Sequence, residues 1–302
     1  MRPAGIARLR LSLSIALSII GAAALTACSG PATPHDALAK APEPTYYLAL
    51  GDSLAQGVQP NAVGVSVTTQ DGYPDLVYAA LRPSRPGLKL VKLGCPGETT
   101  STMIDGGICR YPGGSQLKAA SAFLHAHRGR VLLVTIDIGA NDPEQCAGQR
   151  GDGQPNLAQL ASCAMKGIPA AVTHLTTIMA RLTAATGPGV RIVGMNYYLP
   201  ALAEWRQGLP GHLVARVAER LAAGYSNMLG RVYTHYGARV ANVFGAFHTS
   251  DFAAQGSTPR NVALLCQWTW ACAAPPRGPN QHANQAGYQV IARTFLQAAG
   301  LR

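Results

Sequence analysis

Five short, mostly apolar runs, at residues 46–50, 88–93, 131–138, 191–195 and 239–244, recur along the chain with stretches of helical periodicity between them. Four of the five stop at a glycine: Gly51, Gly94, Gly139 and Gly245. Such runs are short for helices and largely lack the polar alternation of a strand with one wet face, so they predict strands buried on both sides. The periodicity between and after them predicts helices over 74–81, 116–126, 157–185, 213–236 and 284–299. A strand, a helix and a further strand in the same layer need a crossover, which makes neighbouring strands parallel. The chain is therefore expected to be a three-layer α/β/α protein on a five-stranded parallel sheet. Ligands of such sheets bind outside the carboxyl ends of the strands, where strand order reverses, so chemistry is sought just after each run.

The first 44 residues have a different character. Arg2, Arg8 and Arg10 precede an apolar stretch reaching Ala24, the pattern of an export signal and short for a membrane span. It closes on Leu25-Thr26-Ala27-Cys28, which resembles the lipobox of bacterial lipoproteins, where the Cys is lipidated. Residues 1–27 are expected to be a lipoprotein signal peptide. Residues 28–44, rich in Pro and Ala, are a lipidated Cys28 and tether, and residues 45–302 a single folded domain without internal repeats. The product would be anchored to the outer face of the cell membrane, or secreted if Cys28 is unmodified. Setting Cys28 aside leaves six of the seven cysteines, an even set without Cys-x-x-Cys spacing, which in an oxidising compartment reads as disulfides rather than zinc ligands. Proximity favours Cys95–Cys109, Cys146–Cys163 and Cys266–Cys272. The leader carries three Arg and no acid, so of the formal +11 about eight charges remain after cleavage. They are scattered, which argues against a nucleic-acid footprint; most of these residues suit a solvated surface, with anionic lipid headgroups or wall polymers as the partners an exported basic protein would meet. The domain is expected to be a monomer.

Four segments carry candidate chemistry. Gly51-Asp52-Ser53-Leu54 follows the first run and presents Ser53, with its own amide, at the crevice; the same letters also suit an ordinary turn. Gly97, in Cys95-Pro96-Gly97-Glu98, follows the second run and can bring an amide close to a ligand. Asn141, in Gly139-Ala140-Asn141-Asp142, follows the third and offers a side-chain amide, or a helix cap. His282, before the last predicted helix, is placed to serve as a base for a serine, with His248 as runner-up. Trp205, Trp268, Trp270, Tyr197 and Tyr198 suit either a substrate groove or core packing.

In these four segments, taken in order, the chain resembles the GDSL esterases and lipases, also called SGNH hydrolases, over residues 45–302. The resemblance implies a flavodoxin-like three-layer fold and hydrolysis of carboxylic esters without a metal or cofactor. It implies Ser53 as nucleophile, His282 as base, and Ser53, Gly97 and Asn141 as oxyanion donors. One position departs from the pattern: where the family usually has an Asp three residues before the His, this chain has Pro279. A neutral acceptor can still fix an imidazole tautomer, and the backbone carbonyl of Pro279, the side chain of Asn280 and Asp251 remain as orienting groups, the carbonyl being favoured because it keeps the family's offset. The missing acid leaves open a catalytically silent ligand-binding lipoprotein. Location at a cell wall leaves open an acyltransferase or deacetylase of wall glycans.

Overall fold

A computed structural model describes residues 45–143 and 157–301. The leader, Cys28, the tether and the expected Cys146–Cys163 pairing lie outside the described residues. Five parallel strands form the main sheet: β1 (Thr45–Gly51), β2 (Leu88–Lys92), β3 (Val131–Asp137), β4 (Arg191–Asn196) and β5 (Arg239–Asn242). Their spatial order is β2-β1-β3-β4-β5, and all adjacent pairs are parallel. This is the doubly wound order whose switch point lies between the first and third strands. The helices are α1 (Tyr73–Leu81), α2 (Thr100–Asp105), α3 (Gln116–Ala126), α4 (Leu157–Ala185), α5 (Leu209–His235), α6 (Arg260–Trp268) and α7 (Gln285–Ala299).

Strand alternation distributes the core to both faces. Tyr47 and Ala49 of β1 join the cluster under α1, α6 and α7, while Leu48 and Leu50 join the opposite cluster under α3, α4 and α5. All four are fully buried, which explains why β1 reads as a continuous apolar run rather than an alternating one. Helix ends are set locally: Ser115 Oγ accepts from Lys118 N at 3.3 Å, Asn284 Oδ1 accepts from Gly287 N at 3.1 Å, and Gly300 closes α7 in the left-handed conformation.

The expected architecture is observed, with three local differences. The fifth strand stops at Asn242, whose side-chain oxygen accepts from Gly245 N and turns Val243–Ala246 into a helical turn instead of extending the run to residue 244. The fifth helix begins at Leu209 rather than 213, since Pro210 sits comfortably in a first turn. Two elements carried no clear periodic signal, α2 and α6. Small antiparallel ribbons, Gln59–Pro60 with Ser66–Val67 and Ala254–Gln255 with Thr258–Pro259, decorate the carboxyl edge.

Gly194 of β4 marks the tightest sheet-to-helix approach: a Cβ there would lie 2.3 Å from the ring of the fully buried Tyr233 on α5. Gly194→Ala should therefore overpack this layer and destabilise the domain by about 1–3 kcal/mol, seen as a lower urea midpoint. An unchanged midpoint would mean that the Tyr233 ring moves freely.

Candidate active site

The carboxyl ends of β1 and β3 meet at the switch point, and their close approach shapes the first candidate segment. Gly51 pairs in register with Asp137 and has φ of +132°; a Cβ would lie 2.1 Å from the Asp137 carbonyl oxygen. Only glycine fits. The chain then turns: Asp52 N donates to the Asp137 carbonyl at 3.0 Å, and Leu54 N donates to Asp52 Oδ1 at 2.9 Å, which lifts Ser53 over the sheet edge. On the other side of Gly51, where Cys95 N donates to Gly51 O at 3.0 Å, a buried amide adds to the pairing. Gln116 Oε1 accepts from Gly51 N at 2.7 Å and Gln116 Nε2 donates to Gly51 O at 2.9 Å.

Beneath Ser53 lie two buried acids. Asp52 accepts from Tyr197 Oη at 3.1 Å, and Asp137 accepts from Tyr73 Oη at 2.5 Å. Burial and then the facing Asp52 push Asp137 well above the usual carboxylate range, whereas burial lifts Asp52 to about 6.

His282 reaches Ser53 from the loop before α7. That loop runs antiparallel beside residues 268–270: Trp270 N donates to His282 O at 3.0 Å, and Asn284 N to Trp268 O at 3.0 Å. Cys266–Cys272 closes the segment that pairs with it. His282 Nε2 stands 3.0 Å from Ser53 Oγ, and Nδ1 stands 2.7 Å from Asn280 Oδ1. The same Oδ1 accepts from the backbone N of His282 at 3.0 Å, and Asn280 Nδ2 donates to Ser66 Oγ at 3.0 Å. A backbone N–H can only donate, so the amide is oriented with its oxygen toward the ring. Nδ1 then carries the proton and Nε2 is left as the acceptor facing Ser53. Among the Pro279 carbonyl, Asn280 and Asp251, Asn280 is the group that touches the ring; the favoured Pro279 carbonyl does not, because the Asn280 side chain reaches the ring first. Asp251 instead faces Arg260 at 3.3 Å and His248 at 4.0 Å. Burial lowers His282 from its usual value to about 4, with no carboxylate beside Nδ1 to oppose it.

Gly97 and Asn141 complete the cluster. Gly97 has φ of +82°, and its loop is tied back by Cys95–Cys109. Asn141 Nδ2 donates one hydrogen to Glu98 O at 2.8 Å, which aims the second toward the crevice. Asp142 accepts from Thr100 N at 3.0 Å and from Thr100 Oγ1, fastening the segment after β3 to the first turn of α2. Ser53, Gly97, Asn141 and His282 line one cavity of about 200 Å³, whose far wall is formed by Val58, Ser66 and Thr68. None of the five singled-out aromatics lines it. Tyr197 lies beneath, Trp270 pairs with the His282 loop, Tyr198 stacks on Phe247, Trp268 meets Phe247 edge-on, and Trp205 stacks on His212. His248 is 41% exposed in its side chain and lies away from the cavity.

The model of the GDSL-like lipase/acylhydrolase family matches residues 49–290. Among solved structures the chain is similar to an extracellular lipase from Streptomyces rimosus (17% identity, TM-score 0.56, covering 84% of this chain and 99% of that one). It is also similar to phospholipase A1 from Streptomyces albidoflavus (18%, TM-score 0.54, 84% and 99%). A third is a variant of an acetyl-xylooligosaccharide esterase from Geobacillus stearothermophilus (16%, TM-score 0.53, 86% and 96%). At these identities the likeness speaks for the fold. No curated protein matches the sequence.

Two outcomes follow from the buried groups. A carboxyl with a raised folded pKa favours the native state at low pH and loses that contribution as pH rises above its ordinary value near 3.9. Asp137→Asn removes this loss, so its melting temperature should exceed that of the parent increasingly from pH 4 to pH 8; a difference independent of pH would refute the raised pKa of Asp137. For His282 the neutral form is the competent base, so the acidic limb of kcat/KM should lie near pH 4. Asn280→Asp places a charge beside Nδ1 and should move that limb upward by about one unit or more; a limb that stays put would show that Asn280 does not face the ring in solution.

Proposed function

The chain belongs to the GDSL-like lipase/acylhydrolase family, and on that premise we propose that it hydrolyses carboxylic esters through an acyl-enzyme on Ser53. The observation that carries this is the aligned series Ser53 Oγ, His282 Nε2, His282 Nδ1 and Asn280 Oδ1, with successive distances of 3.0 and 2.7 Å either side of the ring. His282 takes the hydroxyl proton as Ser53 Oγ bonds to the ester carbonyl carbon. The oxyanion so formed is held by the amides of Ser53 and Gly97 and the free hydrogen of Asn141 Nδ2. Collapse expels the alcohol, which leaves with the proton from His282. Water, deprotonated by the same nitrogen, then attacks the acyl carbon and releases the acid and free Ser53.

Export and lipidation at Cys28 belong to the same proposal. The leader supports them, and the Cys95–Cys109 and Cys266–Cys272 bridges fit an oxidising compartment. No helix among the described residues is long and apolar enough to cross a membrane.

Ser53→Ala should lower turnover of a soluble acetyl ester by roughly 10⁴-fold or more, and Asn141→Ala by roughly 10² to 10³, with both variants retaining the parent's melting behaviour. A fluorophosphonate should label the parent at Ser53. Turnover near the parent's in Ser53→Ala would end the proposal, and absence of labelling would favour a silent binding protein.

A further inference from the structure

The large apolar side chains left exposed among the described residues are confined to one end of the sheet. Val63, Val65 and Val67 lie between β1 and α1, and Ile108 between α2 and α3, beyond β2. Met165 is in the first third of α4, beyond β3, and Leu209 and Leu213 start α5, beyond β4. Every one is on a connection leaving the carboxyl ends of the strands. Met165 stands 20 residues before the end of α4, about 30 Å along a helix, against about 23 Å for the seven residues of β3, so it too rises above that edge. The opposite turns, at 82–87, 127–130, 186–190 and 236–238, expose none of this class.

Val63, Val65 and Val67 stand where the candidate site opens. In the ribbon ending at Val67, alternation sends Ser66 and Thr68 into the cavity and Val63, Val65 and Val67 outward, with Val63 72% exposed. Residues 57–70 contain no charged group, so little is lost on leaving water. Arg110, Lys166, Arg206 and Arg277, all exposed, stand beside Ile108, Met165, Leu209 and the exposed Pro275–Pro276, whereas among the described residues the exposed acids at this edge are Asp71 and Asp105. Apolar side chains interspersed with cations on one face are complementary to a surface with an anionic outer layer and an apolar interior. A soluble glycan offers no counterpart to the valines.

We propose that the carboxyl edge docks on an anionic lipid surface and that the substrate is an ester packed in that surface, drawn past the valine ribbon into the cavity. The substrate part rests on the ester-hydrolase function proposed above; the docking part does not. A cavity of about 200 Å³ is below the usual 300–1,000 Å³ of sites that enclose a drug-sized ligand, so it receives the reacting end of the ester while the remainder stays against the apolar rim. Because Asn280 Nδ2 bonds Ser66 Oγ, the ribbon that meets lipid also bears on the group orienting His282.

The test uses the full chain and vesicles of phosphatidylglycerol with brominated acyl chains. The indole added in Val65→Trp should be strongly quenched relative to the parent's own tryptophans, and that added in Arg128→Trp, at the opposite edge, unaffected. Phosphatidylcholine vesicles should quench less. Equal quenching at both positions, or none at Val65→Trp, would overturn the proposal, as would dimerisation of the free chain that buries the ribbon and prevents quenching. In parallel, the combined Val63→Ser, Val65→Ser, Val67→Ser variant should lose about tenfold or more in turnover of vesicle phosphatidylglycerol and stay within about twofold on a soluble acetyl ester. Losses equal on both substrates, or absent on both, would also overturn it. Failure of the ester-hydrolase function is read separately, by persistence of soluble-ester turnover in Ser53→Ala.

Discussion

The close approach of Gly51 to Asp137 is the constraint on which the site depends. It lies at the switch point of the sheet, where β1 sends its connection to the α1 face and β3 sends its own to the α4 face, so the two chains diverge and a crevice opens between them. The absence of a side chain at Gly51 lets the Asp137 carbonyl oxygen come nearer to the β1 backbone than any Cβ would permit. Asp52 N is then captured by Asp137, and Ser53 becomes the first residue free of the sheet. Gln116 holds the other side of Gly51 through two hydrogen bonds, so the segment before Ser53 is secured by β3 on one side and by a side chain from α3 on the other.

Such anchoring has an energetic cost that is visible in the acids. Asp52, Asp137, Asp142 and Glu98 all have pKa values raised, and in each case burial is the largest cause. A group of raised carboxyls opposes folding at neutral pH, yet each one binds a backbone or side-chain group of a segment that lines the cavity. Tyr73 and Tyr197, both kept protonated by burial, donate to the central pair. Stability is thus traded for a rigid turn under Ser53, the pattern expected where preorganisation serves a reaction.

The fold is legible in the sequence because β1, β3 and β4 are buried on both faces and so read as uninterrupted apolar runs, while α4 and α7 keep amphipathic periods over many residues. Elements whose form depends on tertiary packing are not. Val243 and Phe244 have strand character, and only the Asn242 side chain turns them into a helix; α2 and α6 are too short to display a period. The candidate residues Ser53, Gly97, Asn141 and His282 are legible because each follows a strand or precedes a helix at a recognisable dipeptide. Gln116 is not, because its partner is 65 residues away and its role, pairing with the backbone of Gly51 beside Cys95 N, has no sequence signal. The preference for the Pro279 carbonyl over Asn280 rests on sequence offset and on the stiffening expected from a Cys266–Cys272 loop, whereas the distance is decided by the bend of the His282 loop against Trp270.

The amide at position 280 changes what the pair can do. A carboxylate beside Nδ1 stabilises an imidazolium, raising the ring's pKa and aiding charge development; an amide only orients it. With burial unopposed, the imidazole stays neutral at a pH where a carboxylate-paired one would be protonated, so the base remains available in acid at the expense of a smaller gain in the transition state. At an anionic lipid surface this matters. A potential near −30 mV concentrates protons enough to lower the local pH by about half a unit. A base held near 4 has ample margin against that shift, and one held near 7 does not. An enzyme whose catalytic edge meets anionic lipid thus has a physical reason to orient its histidine with a neutral group, and the Asn280 amide, anchored to the lipid-facing ribbon through Ser66, is in a position to do so.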